Sequence, residues 1–385
     1  MTKNYSTLIA LTTAAMLLPN LCKKAEANSL EQQTTFDYKY SNYHEGEIAA
    51  DKLAAGSAKR YSIDVNQFKF KTAISSDTEV SISGVHESMS GASGWYIQPD
   101  GNGKLLQVMS GATIDEKRSE LGIDFHSMNK SSESSISASY SSENDYRSLS
   151  FGYSSTFHFN QNLTSLDYGI NTSKDYIDAT DADIYISRPT EKIKNRLGFV
   201  LGASHVLTKT TLLGISFSVA SLDGFLSDAY KLALVEGIPK QDSRPDSTQQ
   251  FASSLMWREF FPRANAALHA DYRYYSSNWG LKSHTMELGW YQNIGKGWQL
   301  IPSVRHYQQT KAEFYQAYYE FKRVDGYYSS DYRLSEFSAN SGQLKLRKSF
   351  DSFYLDAAYE TYTSTGDNPA LISYALYSLG AGMKF

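Results

Sequence analysis

From about residue 35 onward the chain returns again and again to alternation of apolar and polar positions, in runs of roughly ten residues. Ile136, Ala138 and Tyr140 alternate with serines between Ser135 and Ser141. Between Asp145 and Phe157, Leu149, Phe151 and Tyr153 alternate with Ser148, Ser150, Gly152 and Ser154. The stretches Leu166 to Asn171 and Arg196 to Leu201 continue the pattern, and Thr211, Leu213, Ile215, Phe217 and Val219 alternate with Leu212, Gly214, Ser216 and Ser218. Successive side chains of a strand point to opposite faces, so period two predicts strands with one apolar face and one polar face. An apolar face repeated along a whole chain suits lipid better than a single closed core.

The connections between these runs alternate in length. Tight links are predicted at Ser75 to Asp77, Asn129 to Ser131, Leu207 to Lys209, Pro262-Arg263, Gly295 to Gly297 and Phe350 to Ser352. Long segments separate them: Asn42 to Lys59, Met89 to Lys117, Tyr176 to Glu191, Asp223 to Gln250 and Thr310 to Tyr328. Short periplasmic turns and long outer loops are the asymmetry of bacterial barrels. The predicted fold is therefore all-β, a transmembrane antiparallel up-and-down β-barrel of about 16 strands with both ends on the periplasmic side. Within one long loop, Leu226 to Val235 has helix-forming composition, which predicts either a short surface helix or a plug in the barrel mouth.

The two ends of the chain agree with export. Counting back from Phe385, the residues Met383, Ala381, Leu379 and Tyr377 share one face of a last strand. A terminal Phe with an aromatic eight residues earlier resembles the signal read by the barrel-assembly machinery, so Phe385, Met383, Leu379 and Tyr377 are expected to form it. At the other end, Lys3, an apolar run from Leu8 to Leu18 and the small-x-small site Ala25-Glu26-Ala27 predict a signal peptide over 1–27 and a barrel over 28–385. Lys23 and Lys24 are unusual so close to such a cut. Cys22 follows Leu21 rather than a small residue, so lipid attachment is not expected, and the mature chain would hold no cysteine.

Composition narrows the choice further. A mean hydropathy of -0.44 and the lack of a later run of about 20 apolar residues exclude a helical membrane protein. Barrel strands average to neutral, and the 29 Tyr, 19 Phe and 5 Trp suit pleated surfaces and interfacial girdles. A net charge of -4 gives no basic field for nucleic acid.

If Leu268, Ala270, Tyr272 and Tyr274 face lipid, then His269, Asp271, Arg273 and Tyr275 face the lumen. The same reasoning turns Glu287 and Arg305 inward beside Leu288 and Val304, and adds Arg258, Lys345, Arg347, Asp356 and Glu360 to a charged wall. Arg273 and Arg305 are expected to pair with Asp271 and Glu287. Such a wall either selects solutes or braces the interior as an ion-pair network. The loop acids Asp178, Asp181 and Asp183, and Asp100 near Gly101 and Gly103, are oxygen-rich but match no complete calcium loop. No nucleophile elbow, zinc-protease helix or phosphate loop is present, and His284 shares no face with its neighbours Ser283 and Thr285. No catalytic residue, metal or cofactor is expected.

Several segments resemble a family catalogued as domain of unknown function 3570. They are Ser90 to Ser93, Asp242-Ser243-Arg244-Pro245-Asp246, Tyr272 to Tyr275, Trp279-Gly280, Ser283 to Thr285, Gln308-Gln309, Ala312 to Tyr315 and Asp331-Tyr332-Arg333-Leu334. The resemblance implies an outer-membrane barrel of no established activity. Its gene neighbourhoods, with small lipoproteins, thioredoxin-like proteins and flavin transferases, imply envelope redox surroundings. The expectation is a non-enzymatic pore in the bacterial outer membrane, with lipid and the assembly machinery as partners. A non-conducting scaffold that docks a small periplasmic or lipoprotein partner, and an outer-membrane hydrolase, are the alternatives.

Overall fold

The structure, a computed structural model, describes residues 33–111 and 114–385. The expected leader, with Ala25 and Ala27, lies outside the described residues. The strands are β1 (Thr35–Glu45), β2 (Leu53–Ala55), β3 (Ser62–Ala73), β4 (Thr78–Gly91), β5 (Gly94–Pro99), β6 (Leu105–Met109) and β7 (Ile114–Met128). There follow β8 (Ser132–Ser142), β9 (Tyr146–Phe159), β10 (Thr164–Ile177), β11 (Lys192–Val206), β12 (Thr211–Gly224), β13 (Leu232–Val235) and β14 (Ile238–Gln241). The last seven are β15 (Ser247–Phe261), β16 (Ala266–Ser277), β17 (Lys282–Gly295), β18 (Trp298–Gln309), β19 (Phe337–Ser349), β20 (Phe353–Thr365) and β21 (Ser373–Lys384).

Sixteen of these close into one antiparallel barrel in which each strand pairs with the next barrel strand along the chain and β1 pairs with β21. At the seam Thr35 lies opposite Lys384, and the Phe385 N–H donates to the Thr34 carbonyl at 2.9 Å. Closure removes the unpaired edges that an open sheet would leave in lipid. The outward face carries Leu121, Ile136, Phe151, Val304 and Leu379, each about half exposed or more. In water this apolar surface would be a liability; against hydrocarbon it is the face that anchors the barrel.

All six predicted tight links are turns at the end of the barrel that carries both termini. The opposite end carries the longer connections, although 143–145 and 278–281 are tight there too. Four of the five predicted long segments overrun the strands, all but Thr310 to Tyr328, because polar residues such as Asn42 and Lys117 face outward beyond the apolar band. With polar residues on both faces, alternation is no longer visible in the letters although the ladder continues.

The expected helix over Leu226 to Val235 is not formed. Leu232–Val235 instead pairs with Ile238–Gln241 in a hairpin. Its turn residues Glu236 and Gly237 take φ of 52° and 76°, the left-handed pair of a two-residue hairpin turn, which Gly adopts without strain.

Candidate functional site in the lumen

The inward positions of the barrel are mostly Ser, Gly and charged residues, so the lumen is polar. All nine predicted lumen residues face inward by register. Asp271, Glu287 and Arg305 are opposite one another on β16, β17 and β18, and Arg347 is opposite Asp356 on β19 and β20.

The pairing among them differs from expectation. Asp271 accepts from Arg258 Nη2 at 2.8 Å, not from Arg273 or Arg305. Arg258 is in register with His269, so its long side chain reaches the diagonal neighbour two residues away. Asp356 is held by Arg347 at 2.6 Å and Lys345 at 3.2 Å. Glu360 accepts from Gln343 Nε2 at 3.0 Å and from the Tyr374 hydroxyl at 2.9 Å. Among the described residues Arg273, Arg305 and Glu287 make no ion pair within 4 Å. The bracing network therefore exists in part, and two arginines stand outside it.

Seven of the nine, all but Asp356 and Glu360, line a cavity of about 910 Å³ in the half of the lumen nearer the termini. Arg258, Arg273, Arg305, Lys345 and Arg347 lie on one side of it, and Glu133 and Asp167 on the other. The division extends along the barrel. From β4 to β10 the inward charges among the described residues include Glu87, Glu116, Glu120, Asp124, Glu133 and Asp167, with Arg118 in their midst. From β11 round to β3 the inward wall carries Lys194, Arg196, Lys345, Lys39 and Lys69 besides the arginines above, and these outnumber the acids interspersed with them, which include Asp37, Asp271, Glu287, Asp356 and Glu360.

The other half of the lumen is occupied by loops. Ala229 and Tyr230, from the loop 225–246, pack against the inward side chains of Tyr43, Ile63 and Met89, so this loop enters the barrel mouth. The Tyr230 hydroxyl donates to Asp145 at 2.6 Å. The hairpin β13–β14 joins the loop 310–336 through Val235 and Tyr319 and through Ser243 and Tyr328. Tyr319 is 1% exposed there and packs edge-on against Tyr328.

Buried charges tie the two loops together. Arg244 bridges Asp242 at 2.7 Å and Asp331 at 2.9 Å, and Arg333 bridges Asp331 and Asp228. Burial pushes the Asp331 carboxyl up, but Arg333, Lys231 and Arg244 outweigh it and hold the group well below the usual carboxylate range. Such charges are tolerated inside only when paired; Arg244, Arg333 and Asp331 each have two opposite charges, and Asp228 and Asp242 add backbone N–H donors to one arginine each. The search for lumen charges does not reach this hub, yet the sequence holds a signal for it. Asp242-Ser243-Arg244-Pro245-Asp246 and Asp331-Tyr332-Arg333-Leu334 are two of the segments that carry the family resemblance. Two others, Trp279-Gly280 and Ala312 to Tyr315, also meet: Trp279 packs edge-on on Phe314 at 5.2 Å. A Cβ on Gly280, whose φ is +80°, would fall 2.6 Å from Glu313 Cγ.

The remaining candidates have local explanations. Asp181 is paired with Arg188 at 3.2 Å, and Asp100 accepts the backbone N–H groups of Asn102 and Lys104 in its own turn. His284 faces outward and its Nδ1 meets the Tyr272 hydroxyl at 2.7 Å, away from inward Ser283 and Thr285.

Among solved structures, a bacterial polysaccharide outer membrane secretin is 8% identical with a TM-score of 0.51, over 92% of this chain and 99% of that one. CdiB from Acinetobacter baumannii is 8% identical with a TM-score of 0.53, over 92% of this chain and 60% of that one. At this identity the likeness concerns the fold alone, which is that of outer-membrane barrels. No curated protein matches the chain. The family model described as protein of unknown function (DUF3570) matches residues 8–380, nearly the whole length, and the chain belongs to that family.

Proposed function

We propose that the protein is a non-enzymatic, gated channel for a small charged solute in the outer membrane of a Gram-negative bacterium. The observation that carries this reading is the charged cavity of about 910 Å³ beneath loops that enter the barrel from the opposite end. Charged lumen walls select solutes by field and hydrogen bonding. The termini and tight turns then face the periplasm, and the loops 225–246 and 310–336 face outside. Opening requires the loop pair to leave the mouth, and the hub of Asp228, Arg244, Asp331 and Arg333 is the latch that holds it.

Purified protein in planar bilayers should give discrete current steps, more frequent when Arg333→Ala releases the latch. A protease site inserted in 225–246 should be cut on intact cells, and one at 295–297 should not. The seated loops favour a second reading, a closed barrel that presents them or docks a small periplasmic or lipoprotein partner. Folded protein that never conducts, with or without the latch, would favour it over the channel.

A further inference from the structure

Four arginines of the interior each hold a carboxylate: Arg60 with Glu45 at 3.0 Å, Arg118 with Glu87 at 3.0 Å, Arg258 with Asp271 at 2.8 Å and Arg347 with Asp356 at 2.6 Å. Arg196 on β11, Arg273 on β16 and Arg305 on β18 do not. Among the described residues none of the three has an acid within 4 Å, and Arg196 Nε is buried without a hydrogen-bond partner. Arg273 and Arg305 lie two strands apart on one wall, since Arg305 is level with Glu287 and Asp271, and Asp271 is two residues from Arg273. Arg196 is three strands from Arg273 and does not line the cavity.

Two of the three nearby acids are engaged, and the third, Glu287, is level with Arg305 on the next strand. Asp271 is taken by Arg258, and Glu360 by Gln343 and Tyr374. Glu287 is felt by Arg305 but lies beyond ion-pair distance. Around Arg273 and Arg305 stand aromatic residues instead: Tyr275 shares the face of Arg273 two residues on, Tyr307 is level with Arg273 two strands away, and Tyr362 is level with Arg305 two strands away. Arg273 and Arg305 open onto the large cavity. A bracing network would place each cation on a carboxylate, because grouped like charges repel and gain nothing for the fold.

We propose that Arg273 and Arg305 form a binding site for a small solute bearing carboxylate or phosphate oxygens. Guanidinium forks supply paired donors to such oxyanions, and tyrosine hydroxyls can add single ones. The inference deepens the channel reading and rests on it for its physiological meaning, but binding can be measured without conduction.

The test is isothermal titration of the folded full-length protein in detergent with sodium succinate, sodium phosphate and choline chloride. Succinate or phosphate should bind and choline should not, and the stronger of the two anions identifies the class. Arg273→Ala and Arg305→Ala should each weaken binding by about tenfold or more, as loss of a charge-assisted contact does. Arg273→Lys, which keeps the charge but loses the fork, should fall between. Outward Val304→Leu should leave affinity unchanged. Arg305 is exposed to the cavity, so its variant serves if Arg273→Ala does not fold. Wild-type protein that binds neither anion, or binding undiminished in folded Arg305→Ala, overturns the site. Binding in a protein that never conducts would instead leave the site standing and remove the channel.

Discussion

Arg333 Nη2 donates to Asp228 Oδ2 at 2.7 Å, joining two loops whose partners are 105 positions apart in the chain. This contact, with Asp331 beside it, connects the loop in the barrel mouth to the loop that covers it. Asp331→Ala leaves Arg244 and Arg333 facing one another without their shared acid. Removing one partner of such a buried group costs about 3 to 5 kcal/mol. Limited proteolysis of folded protein should then cut within 225–246 far faster than in wild type, while the barrel itself keeps its heat-modifiable gel mobility. Unchanged cutting would show that the hub does not hold the loops.

The hub and the neighbouring anchor should respond oppositely to pH. The Asp331 carboxyl is depressed in the folded state, so its contribution is present above the usual carboxylate range and survives until strongly acid pH. Asp145, which anchors Tyr230, is pushed up to about 7, and Glu143 beside it to about 8, burial being the largest cause of each. An acid raised in the folded state binds more protons than it does unfolded. Its contribution is therefore complete below about pH 4 and is lost as pH rises through its folded value. Proteolysis of 225–246 should accelerate as pH rises from about 4 to about 8, between the ordinary carboxylate values and the two raised ones, and level off above that. Asp145→Asn, which can still accept from Tyr230, should flatten the profile.

Within the lumen, the ion pairs rank by exposure. The Asp356 side chain is 5% exposed and serves two cations, whereas that of Asp271 is 42% exposed and serves one. Asp356→Ala should lower the melting temperature in detergent clearly, by an amount approaching about 3 kcal/mol of destabilisation. Asp271→Ala should cost about 1 kcal/mol or less, since lumen water screens that pair. Arg273→Gln should cost nothing measurable, because no acid is left unpaired. Equal losses at Asp356 and Arg273 would contradict this ranking.

Phe385 contributes one backbone hydrogen bond at the seam, and the residue is 71% exposed, so it adds little to the finished barrel. Deleting it should leave the stability of refolded protein within about 1 kcal/mol of wild type, the worth of one hydrogen bond, as read by thermal melting. The amount assembled in cells should fall markedly, since the assembly machinery loses its terminal aromatic. Normal surface yield with the deletion would remove Phe385 from recognition.

Period two makes the faces of β8, β9 and β16 to β18 readable from the letters, including the inward positions of Asp271, Arg273, Glu287 and Arg305. Partner choice is not readable in the same way. It depends on which long side chain reaches a diagonal neighbour, as Arg258 does to Asp271, and letters along one strand do not encode that. The plug expected of Leu226 to Val235 does enter the mouth, but as a hairpin rather than a helix, and that is hidden for another reason. Leu232, Ala233 and Leu234 have helical composition, and only the Glu236-Gly237 pair marks the hairpin that tertiary contacts select. The hub joins loops with no periodicity at all, so only the motif segments themselves point to it.

The opposed walls of the lumen, one net acidic and one net basic, act on a visitor much as capacitor plates do, with field lines running across the barrel rather than along it. A zwitterion between them would be turned broadside, its carboxylate toward Arg273 and Arg305 and its ammonium toward Glu133 and Asp167. Under the channel reading proposed above, transit would then be graded by the length of a solute's dipole as well as by its net charge, and a neutral sugar of equal size would pass without being aligned.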